Sequence, residues 1–392
     1  MRFPEFSGEW EKCKFGDIAT GFDYGMNAAA KPFDGENKYI RITDIDEASS
    51  TYNDKDLVSP DGALTDNYVV NNRDILLART GASTGKSYLY RKSDGKLYYA
   101  GFLIRANVPK HNPYFVFSQL HTHRYWRWVS IMSARSGQPG INSQEYSSFP
   151  IFTTSLQEEN KISALLSLLD ARIATQNKII EKLESLIKGL NDSLYKQYGN
   201  AITTSFSNLG HSYSGLSGKS SEDFGSGKPF ITYLNVYSNN VVNENDYQYV
   251  RINDGEKQNI VQYGDVLFTL SSETPEEVGV GSVYLGIDEV FLNSFCFGFH
   301  TENKELAYPP YFSYYVSSTP FRKFIYPFAQ GSTRFNLCKA DFEKASIKLP
   351  SLENQKHIYA ILNRITEKIE TEKSLLEHYT TQKQYLLHQM FI

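Results

Sequence analysis

The sequence predicts an α+β protein in which two repeated globular domains are separated by two long helices. The helices are expected to form an antiparallel coiled coil, with pseudo-two-fold symmetry. Three observations lead to this prediction: motifs recur at a nearly constant offset, each copy begins with short strand-like and helix-like segments, and each copy ends in a long heptad pattern. At 392 residues, the chain has room for two or three domains of roughly 100–200 residues each.

The internal repeat is visible as matched segments that keep their order along the chain. Small insertions in loops explain why the offset drifts only slightly, and such ordered self-similarity indicates a duplicated fold. The matched segments, at shifts of 191 to 197, are 39–45 with 230–236, 73–77 with 264–268, 113–115 with 310–312, 137–142 with 331–336, and 155–173 with 351–369.

Each copy has a mixed first part. Segments rich in β-branched and aromatic residues, bounded by turn residues, predict strands, and segments led by proline predict short helices. The predicted strands are Tyr39–Ile45, Asp74–Arg79, Tyr98–Ala106, Asp265–Leu270 and Val290–Phe299, and the predicted helices are Pro113–Trp128 and Pro309–Phe324. We therefore place globular domains at residues 1–152 and 201–350.

Each copy ends in apolar residues at alternating steps of four and three, the heptad pattern of a coiled coil. This pattern predicts a central spacer helix at 153–200 and a C-terminal spacer helix at 351–392, each ~60 Å long at 1.5 Å per residue. Polar Gln176 and Glu372 interrupt the seam at matching places, where a polar residue can fix register. The predicted seam residues are Ile162, Leu166, Leu169, Ile173, Ile180, Leu183, Ile187, Leu190, Ile358, Leu362, Ile365, Ile369, Leu376, Tyr379 and Leu386.

Composition restricts the classes of function. The formal net charge of −4 means that any contact with nucleic acid must rest on local patches. Cys13, Cys296 and Cys338 are far apart, so neither a zinc site nor a disulfide framework is expected, and free thiols fit the cytoplasm. No apolar stretch approaches the ~20 residues of a membrane span.

Motifs that would indicate catalysis are incomplete. Thr80–Ser87 resembles a nucleotide-binding loop but lacks its first glycine and runs into strand-like sequence, so it predicts a hairpin turn. Tyr308–Tyr311 and Asn112–Tyr114 each lack part of the tetrapeptide that holds adenine in DNA methyltransferases. HExxH and GxSxG are absent. The sequence therefore predicts no catalytic residue, cofactor site or metal site on this chain.

Local basicity remains as a possible signal. Basic residues exceed acidic ones over 73–105, and 124–128 alternates arginine with aromatic residues. Cations beside aromatic side chains suit contact with phosphates and bases. A basic run is also typical of a solvated face, and charge alone does not separate the two interpretations. In the second copy, residues 201–350 carry more acidic than basic residues.

A series of motifs completes the pattern: 2–10, 16–18, 39–41, 73–76, 79–86, 136–142, 149–151, and the helix starts 156–162 and 352–358. In this order, and over essentially the whole chain, they resemble the specificity (S) subunit of type I restriction–modification systems. The resemblance implies that each globular unit is a target-recognition domain reading one half of a split DNA sequence. It also implies that the helices set the distance between half-sites.

The same resemblance implies the partners: double-stranded DNA, two modification (methyltransferase) subunits and restriction subunits, with no membrane. It implies a subunit without chemistry of its own. S-adenosylmethionine, ATP and Mg are then expected on the partner subunits, and this chain needs no cofactor.

The resemblance also implies DNA-facing loops at Thr80–Lys86 and Ser136–Asn142 in the first domain and at Thr269–Thr274 and Gly331–Asn336 in the second. The glycines in these loops have the simpler interpretation of tight turns. The candidate DNA-binding residues are Arg41, Arg79, Thr80, Ser83, Thr84, Lys86, Arg135, Ser136, Gln138, Asn142, Thr232, Ser271, Ser272, Thr274, Ser332, Thr333, Arg334 and Asn336.

Three alternatives remain open at this point. A fused methyltransferase or nuclease would need the cofactor loop and the adenine-binding tetrapeptide that the sequence lacks. A non-catalytic coiled-coil adaptor would bind protein only and show no salt-dependent affinity for DNA. An orphan specificity subunit would have the same fold but no active partners.

Overall fold

The computed structural model describes residues 2–134 and 139–391 and divides into two units. The first unit comprises residues up to Lys178 together with those from Lys373 onward, and the second comprises Ile179–Glu372. Each unit therefore contains one mixed globular part and one end of each long helix.

Within the described residues of the first unit, ten strands and four short helices precede the first long helix. The strands are β1 (Glu11–Lys14), β2 (Thr20–Tyr24), β3 (Ala29–Pro32), β4 (Lys38–Ile40), β5 (Val58–Asp61), β6 (Asp74–Ala78), β7 (Ser87–Leu89), β8 (Leu97–Tyr99), β9 (Leu103–Asn107) and β10 (Pro150–Thr153). The helices are α1 (Phe15–Ile18), α2 (Pro113–Gln119), α3 (His123–Ser133), α4 (Ser143–Ser147) and the long α5 (Leu156–Tyr198).

The central sheet of this unit is antiparallel, in the order β2-β9-β6-β7. β6 is buried on both faces: Ile75 and Leu77 join one apolar cluster, while Leu76 and Ala78 join another. This division follows from the two-residue period of a strand, which sends successive side chains to opposite faces. β4 and β8 pair in parallel, and β1 pairs with β10, joining the two ends of the globular part.

The second unit repeats the main elements in the same order and adds further short strands and a helix. The strands are β11 (Ile202–Ser205), β12 (Gly210–Ser214), β13 (Phe224–Ile231), β14 (Gln248–Val250), β15 (Val266–Thr269), β16 (Ser271–Ser272), β17 (Gly281–Val283), β18 (Phe291–Leu292), β19 (Cys296–Thr301), β20 (Ala329–Gln330), β21 (Phe335–Leu337) and β22 (Ser346–Leu349). The helices are α6 (Phe206–Leu209), α7 (Tyr233–Ser238), α8 (Pro309–Tyr315), α9 (Thr319–Ile325), α10 (Lys339–Lys344) and α11 (Leu352–Met390).

The pairing confirms the duplication in three dimensions. The sheet β12-β19-β15-β17 has the order of β2-β9-β6-β7, β11 pairs with β22 as β1 does with β10, and β13 pairs in parallel with β18 as β4 does with β8. The α+β class with two repeated domains and two long helices is therefore confirmed.

Three segments predicted as single elements are divided. Tyr39–Ile45 is a strand only to Ile40 and then a 3₁₀ turn, because the Asp44 carboxylate accepts the backbone N–H of Arg41 at 2.9 Å. Tyr98–Ala106 and Val290–Phe299 each contain a turn between two strands.

The proline-led segments are likewise two helices each, α2 with α3 and α8 with α9. The Thr122 side chain caps α3 by accepting the N–H of Tyr125, and Ser318 caps α9 in the same way. These capping residues start a second helix within a segment whose composition had predicted one.

The segment Thr80–Ser87, which resembles a nucleotide-binding loop, forms a hairpin turn as predicted. β6 and β7 pair antiparallel across residues 79–86, and Lys86 is followed by a strand rather than by the helix that such a loop requires.

The long helices α5 and α11 pack together and run antiparallel. In the first unit, the beginning of α5 meets the end of α11, with Leu166 and Leu386 in one apolar cluster and Lys383 Nζ 2.6 Å from the Asp170 carboxylate. In the second unit, Leu190 near the end of α5 packs with Leu362 near the beginning of α11. None of the predicted seam residues is exposed, and Gln176 and Glu372 are buried in the seam.

Buried polar side chains fix each helix start to its domain. Glu159 accepts the N–H of Asn112, and its counterpart Gln355 accepts the N–H of Tyr308, both at 2.8 Å. In the first unit, the fully buried Glu158 also accepts from the Arg2 guanidinium at 2.7 Å, the Thr154 hydroxyl at 2.6 Å and the Trp10 indole at 3.3 Å.

We predict that Glu158 makes the first unit acid-sensitive. Burial raises the pKa of this carboxyl, but the bonds from Arg2, Thr154 and Trp10 outweigh burial and leave the pKa below its usual 4.5. Because the folded pKa is lowered, the stabilisation is present above about pH 4.5 and is lost as pH falls further. Thermal unfolding of wild type and E158Q between pH 7 and 3.5 measures this effect. Convergence of the two midpoints at low pH is expected, whereas parallel curves would contradict it.

Candidate nucleic-acid interface

In the first unit, residues 79–81 and 139–141, which belong to or adjoin the two predicted loops, lie side by side where β6 ends. Thr80 forms a bridge with Gly140, the N–H of Gly81 donates to the carbonyl of Pro139 at 3.0 Å, and the N–H of Ile141 donates to the carbonyl of Arg79 at 2.9 Å. The tertiary structure thus joins residues about sixty positions apart into one polar edge.

The Thr80–Lys86 loop is held by internal contacts. Thr84 is buried and its hydroxyl donates to the carbonyl of Gly81 at 2.8 Å. Gly85 has φ +94° and packs on α3, where a Cβ would lie 2.8 Å from Val129. These two residues shape the loop, and contact of the buried Thr84 with DNA stays a prediction.

The predicted cations of this edge differ in what surrounds them. Arg41 makes a two-point ion pair with Asp44, at 2.7 and 2.9 Å, and Lys86 lies 3.2 Å from the Glu47 carboxylate. The Arg79 guanidinium lies 4.7 Å above the Tyr24 ring. Arg41, Arg79 and Tyr24 also line a cavity of about 640 Å³.

Much of the basic stretch noticed in the sequence has a structural role instead. The Arg73 guanidinium donates to the carbonyl of Val108 at 2.7 Å, and Arg105 pairs with Asp23 at 3.2 Å. Burial lowers the pKa of Arg124, and Tyr125 is fully buried. Within the alternating arginine–aromatic segment 124–128, Tyr125 therefore belongs to the core, whereas Trp126 is 43% exposed and Arg127 is exposed.

Of the remaining first-domain candidates, Thr80 and Ser83 are half-buried and Asn142 is exposed. The Asn142 side chain caps α4 by accepting the N–H of Glu145 at 2.9 Å. Arg135, Ser136 and Gln138 lie outside the residues that the structure describes.

The second unit brings its two predicted loops together in the same way. The N–H of Leu337 donates to the carbonyl of Leu270 at 2.9 Å, as Ile141 does to Arg79, and Ser271 pairs with Asn336. Thr274, Ser332, Thr333, Arg334 and Asn336 are exposed on this edge.

Three candidates of the second unit are engaged in structural bonds. Ser271 and Ser272 are buried, and the Ser272 hydroxyl donates to Glu277 at 2.6 Å. Thr232 caps α7 by accepting the N–H of Asn235. The repeat aligns Thr232 with Arg41 and Asn235 with Asp44 of the first unit. These bonds give all three residues a structural role, and their contact with DNA stays a prediction.

The second edge is also more acidic. Exposed Glu273 and Glu276 lie in the segment that replaces the glycine–lysine loop. Bonds from Ser272 and then Tyr237 lower the pKa of Glu277, so this carboxylate is ionised at neutral pH. The two edges therefore share a frame and differ in charge.

One exposed phenylalanine in each unit was not among the predicted site residues. Phe102 and Phe295 are 58% and 55% exposed, and their carbonyls accept the N–H of Arg79 and Leu270 at 3.0 and 2.9 Å. Both were placed inside continuous strands. The available signal was their shift of 193, within the drift of the repeat, next to turn-forming Gly101 and Asn293.

Two copies of one α+β domain, each with paired polar loops at one edge and each joined to a long helix, define a duplicated recognition scaffold. The chain belongs to the family described as type I restriction modification DNA specificity domain, whose model matches residues 7–185 and 216–378. Its role is that of a DNA specificity subunit.

Solved structures share this fold. The type I restriction–modification S subunit from M. genitalium is 15% identical, with a TM-score of 0.59 over 97% of this chain and 95% of that chain. A structure described under complex assembly and conformational transition of the type I R-M system is 15% identical, with a TM-score of 0.57 over 96% of each chain. At this identity, the similarity establishes the fold.

The described residues include neither a membrane-spanning helix nor a metal-ligand cluster. Over 2–134 and 139–391, no helix combines the length and apolar character needed to cross a bilayer. In the same part of the chain, no three His, Cys, Asp or Glu side chains gather as a metal site would require.

Proposed function

We propose that each unit reads one half of a bipartite sequence in double-stranded DNA. The observation that carries this proposal is the shared frame at the end of the central strand: Ile141 bonds to Arg79 in the first unit and Leu337 bonds to Leu270 in the second. The same backbone arrangement presents different side chains, so two different half-sites are expected.

The side chains on these edges suit the reading of bases. Arginine, asparagine, serine and threonine can donate to or accept from base edges in the major groove, where each base pair has its own pattern. Arg79 in the first unit and Arg334 with Asn336 in the second are the most suitable. The acidic second edge favours recognition by few, specific contacts over general attraction to phosphates.

The long helices supply the spacing in this proposal. With 43 residues, α5 spans about 65 Å, so half-sites within about two DNA turns of ~34 Å each are expected. A duplicated chain also offers two similar surfaces, which suits two copies of a modification subunit.

The partners complete the proposal. We place S-adenosylmethionine on the modification subunits and ATP and Mg on the restriction subunits, with this chain non-catalytic and cytoplasmic. Burial raises the pKa of the Cys296 thiol, which fits an unreactive structural cysteine. Two alternative functions remain: an adaptor that binds only protein, and an orphan specificity subunit without active partners.

A methylation map tests the proposal. The full chain is co-expressed with its modification subunit in a host free of DNA methylation, and N6-methyladenine is mapped by single-molecule sequencing. A split motif with a fixed gap supports the proposal. A stable complex without a motif would favour the adaptor or the orphan subunit.

We predict that R334A affects only the second half-site. Arg334 is exposed on the second edge, and a lost arginine–base contact costs about 1–3 kcal/mol, or roughly tenfold in affinity. Binding to duplexes with either half-site scrambled measures the effect, with R364A, an exposed arginine on α11, as the control. Equal losses at both half-sites would contradict the assignment.

A further inference from the structure

We propose that Phe102 and Phe295 are direct DNA contacts, one in each unit, whose phenyl rings stack against a base step of the corresponding half-site. This inference rests on the proposed function and adds residues and a mode of contact to it. It is carried by a matched pair of exposed rings on matched, rigid turns beside the polar loops.

The turn that holds each ring is built in the same way in both units. The N–H of Gly25 donates to the carbonyl of Leu103 at 3.1 Å, and the N–H of Gly215 donates to the carbonyl of Cys296 at 3.3 Å. A Cβ on Gly25 would lie 2.2 Å from the Ala100 oxygen, and a Cβ on Gly215 would lie 2.1 Å from the Asn293 oxygen. Both turns therefore depend on a glycine that lets a second backbone segment approach closely.

Further bonds fix the turn on either side of the ring. The N–H of Leu103 donates to the carbonyl of Ala100 at 2.8 Å, and the N–H of Cys296 donates to the carbonyl of Asn293 at 3.0 Å. The Asn293 side chain also accepts the N–H of Phe295 at 2.9 Å. The backbone is thus fixed while more than half of each side chain stays in water, which keeps the entropy cost of binding low.

Single exposed apolar residues are common and need no explanation. Here two phenylalanines occupy equivalent positions, and each joins the loop frame through the carbonyl that accepts from Arg79 or Leu270. Water contact with a phenyl ring is unfavourable, so covering both rings in one binding event is favourable.

A cation accompanies each ring. The Arg334 guanidinium lies 5.7 Å from the centre of the Phe295 ring, and Phe102 lines the same cavity as Arg79. A ring that contacts a base step next to a guanidinium that contacts a base edge fits DNA, because proteins that insert apolar side chains between base steps combine them with arginine contacts in the groove. A flat apolar protein surface would leave these guanidinium groups without a partner.

The test uses the full chain in complex with its modification subunit. The variants are F102A, F295A, F102W and F295W. The controls are L64A and I287A, which change exposed apolar residues elsewhere on the chain. Dissociation constants are measured for the mapped duplex, and for duplexes with one half-site scrambled, over a series of salt concentrations.

Each phenylalanine-to-alanine change is expected to weaken binding roughly tenfold, through its own half-site only, because burying a phenyl ring is worth about 1.5–3 kcal/mol. The slope against salt should stay unchanged because no phosphate contact is lost. The tryptophan variants should keep most of the affinity, and L64A and I287A should bind as wild type.

Wild-type affinity in F102A and F295A would overturn the inference while leaving the proposed function intact. The inference would also be overturned if the variants lose the modification subunit from the complex while the chain keeps its affinity for DNA. That result would assign the rings to docking of the partner protein. If the wild-type complex does not distinguish the mapped duplex from a scrambled one, the proposed function fails and this inference fails with it.

Discussion

Changing Leu362 to aspartate is expected to unfold the second unit and abolish sequence-specific recognition. Leu362 is fully buried in the apolar cluster that joins α5 and α11 to the second domain. Removing a buried leucine side chain costs about 2–5 kcal/mol, and an unpaired carboxylate in its place adds the cost of burying a charge. A loss of more than about 4 kcal/mol is comparable with the total stability of many domains.

The measurement is urea unfolding with limited proteolysis, followed by a methylation map of the complex. R364D, two residues further along α11 and exposed, introduces the same side chain without burial and should leave folding and methylation intact. A folded L362D variant that still methylates the split motif would refute the role of this packing.

Changing Gly215 to alanine is expected to destroy reading of one half-site while the chain stays folded. The new Cβ would lie 2.1 Å from the Asn293 carbonyl oxygen, a distance that forces the backbone of the Phe295 turn to move. Such overpacking costs about 1–3 kcal/mol, which a unit of this size can tolerate. The displaced ring and the adjoining Leu270 frame would no longer match the DNA.

Binding of G215A to duplexes with either half-site scrambled measures the loss, which should concern the second half only. G25A provides the reciprocal experiment, because its Cβ would lie 2.2 Å from the Ala100 oxygen and should affect the first half only. G189A is the control: its Cβ meets nothing within 4 Å on α5. Unchanged specificity in both G25A and G215A would argue against the two turns as reading elements.

Patterns local to the sequence predicted much of the architecture. The heptad spacing from Ile162 and Ile358 located both long helices, because side chains three and four residues apart share a helix face whatever the rest of the chain does. The ordered matches predicted the duplication, and the interrupted glycine loop correctly predicted the hairpin of β6 and β7. Turns inside apolar segments were missed, because Phe102 and Phe295 look like strand residues by composition.

The individual functional side chains were harder to predict. Arg73 and Arg124 looked like available cations, yet Arg73 bonds to the carbonyl of Val108 and Arg124 is partly buried. Thr84, Ser271 and Ser272 looked like polar readers, yet all three are buried. The residue type determines which bonds a side chain can make. Whether those bonds are already made within the protein depends on the neighbours of that side chain in the fold.

The sequence alone determined the duplicated order of elements, the two long helices with their seam and the family, because these depend on periodicity and on motifs that are local along the chain. Only the tertiary structure decided which residues stand at the edge of each unit. Contacts between distant segments, such as Thr80 with Gly140 and Arg79 with Phe102, form that edge. Burial and hydrogen bonding across such distances, rather than residue type, separate an exposed ring from a buried hydroxyl.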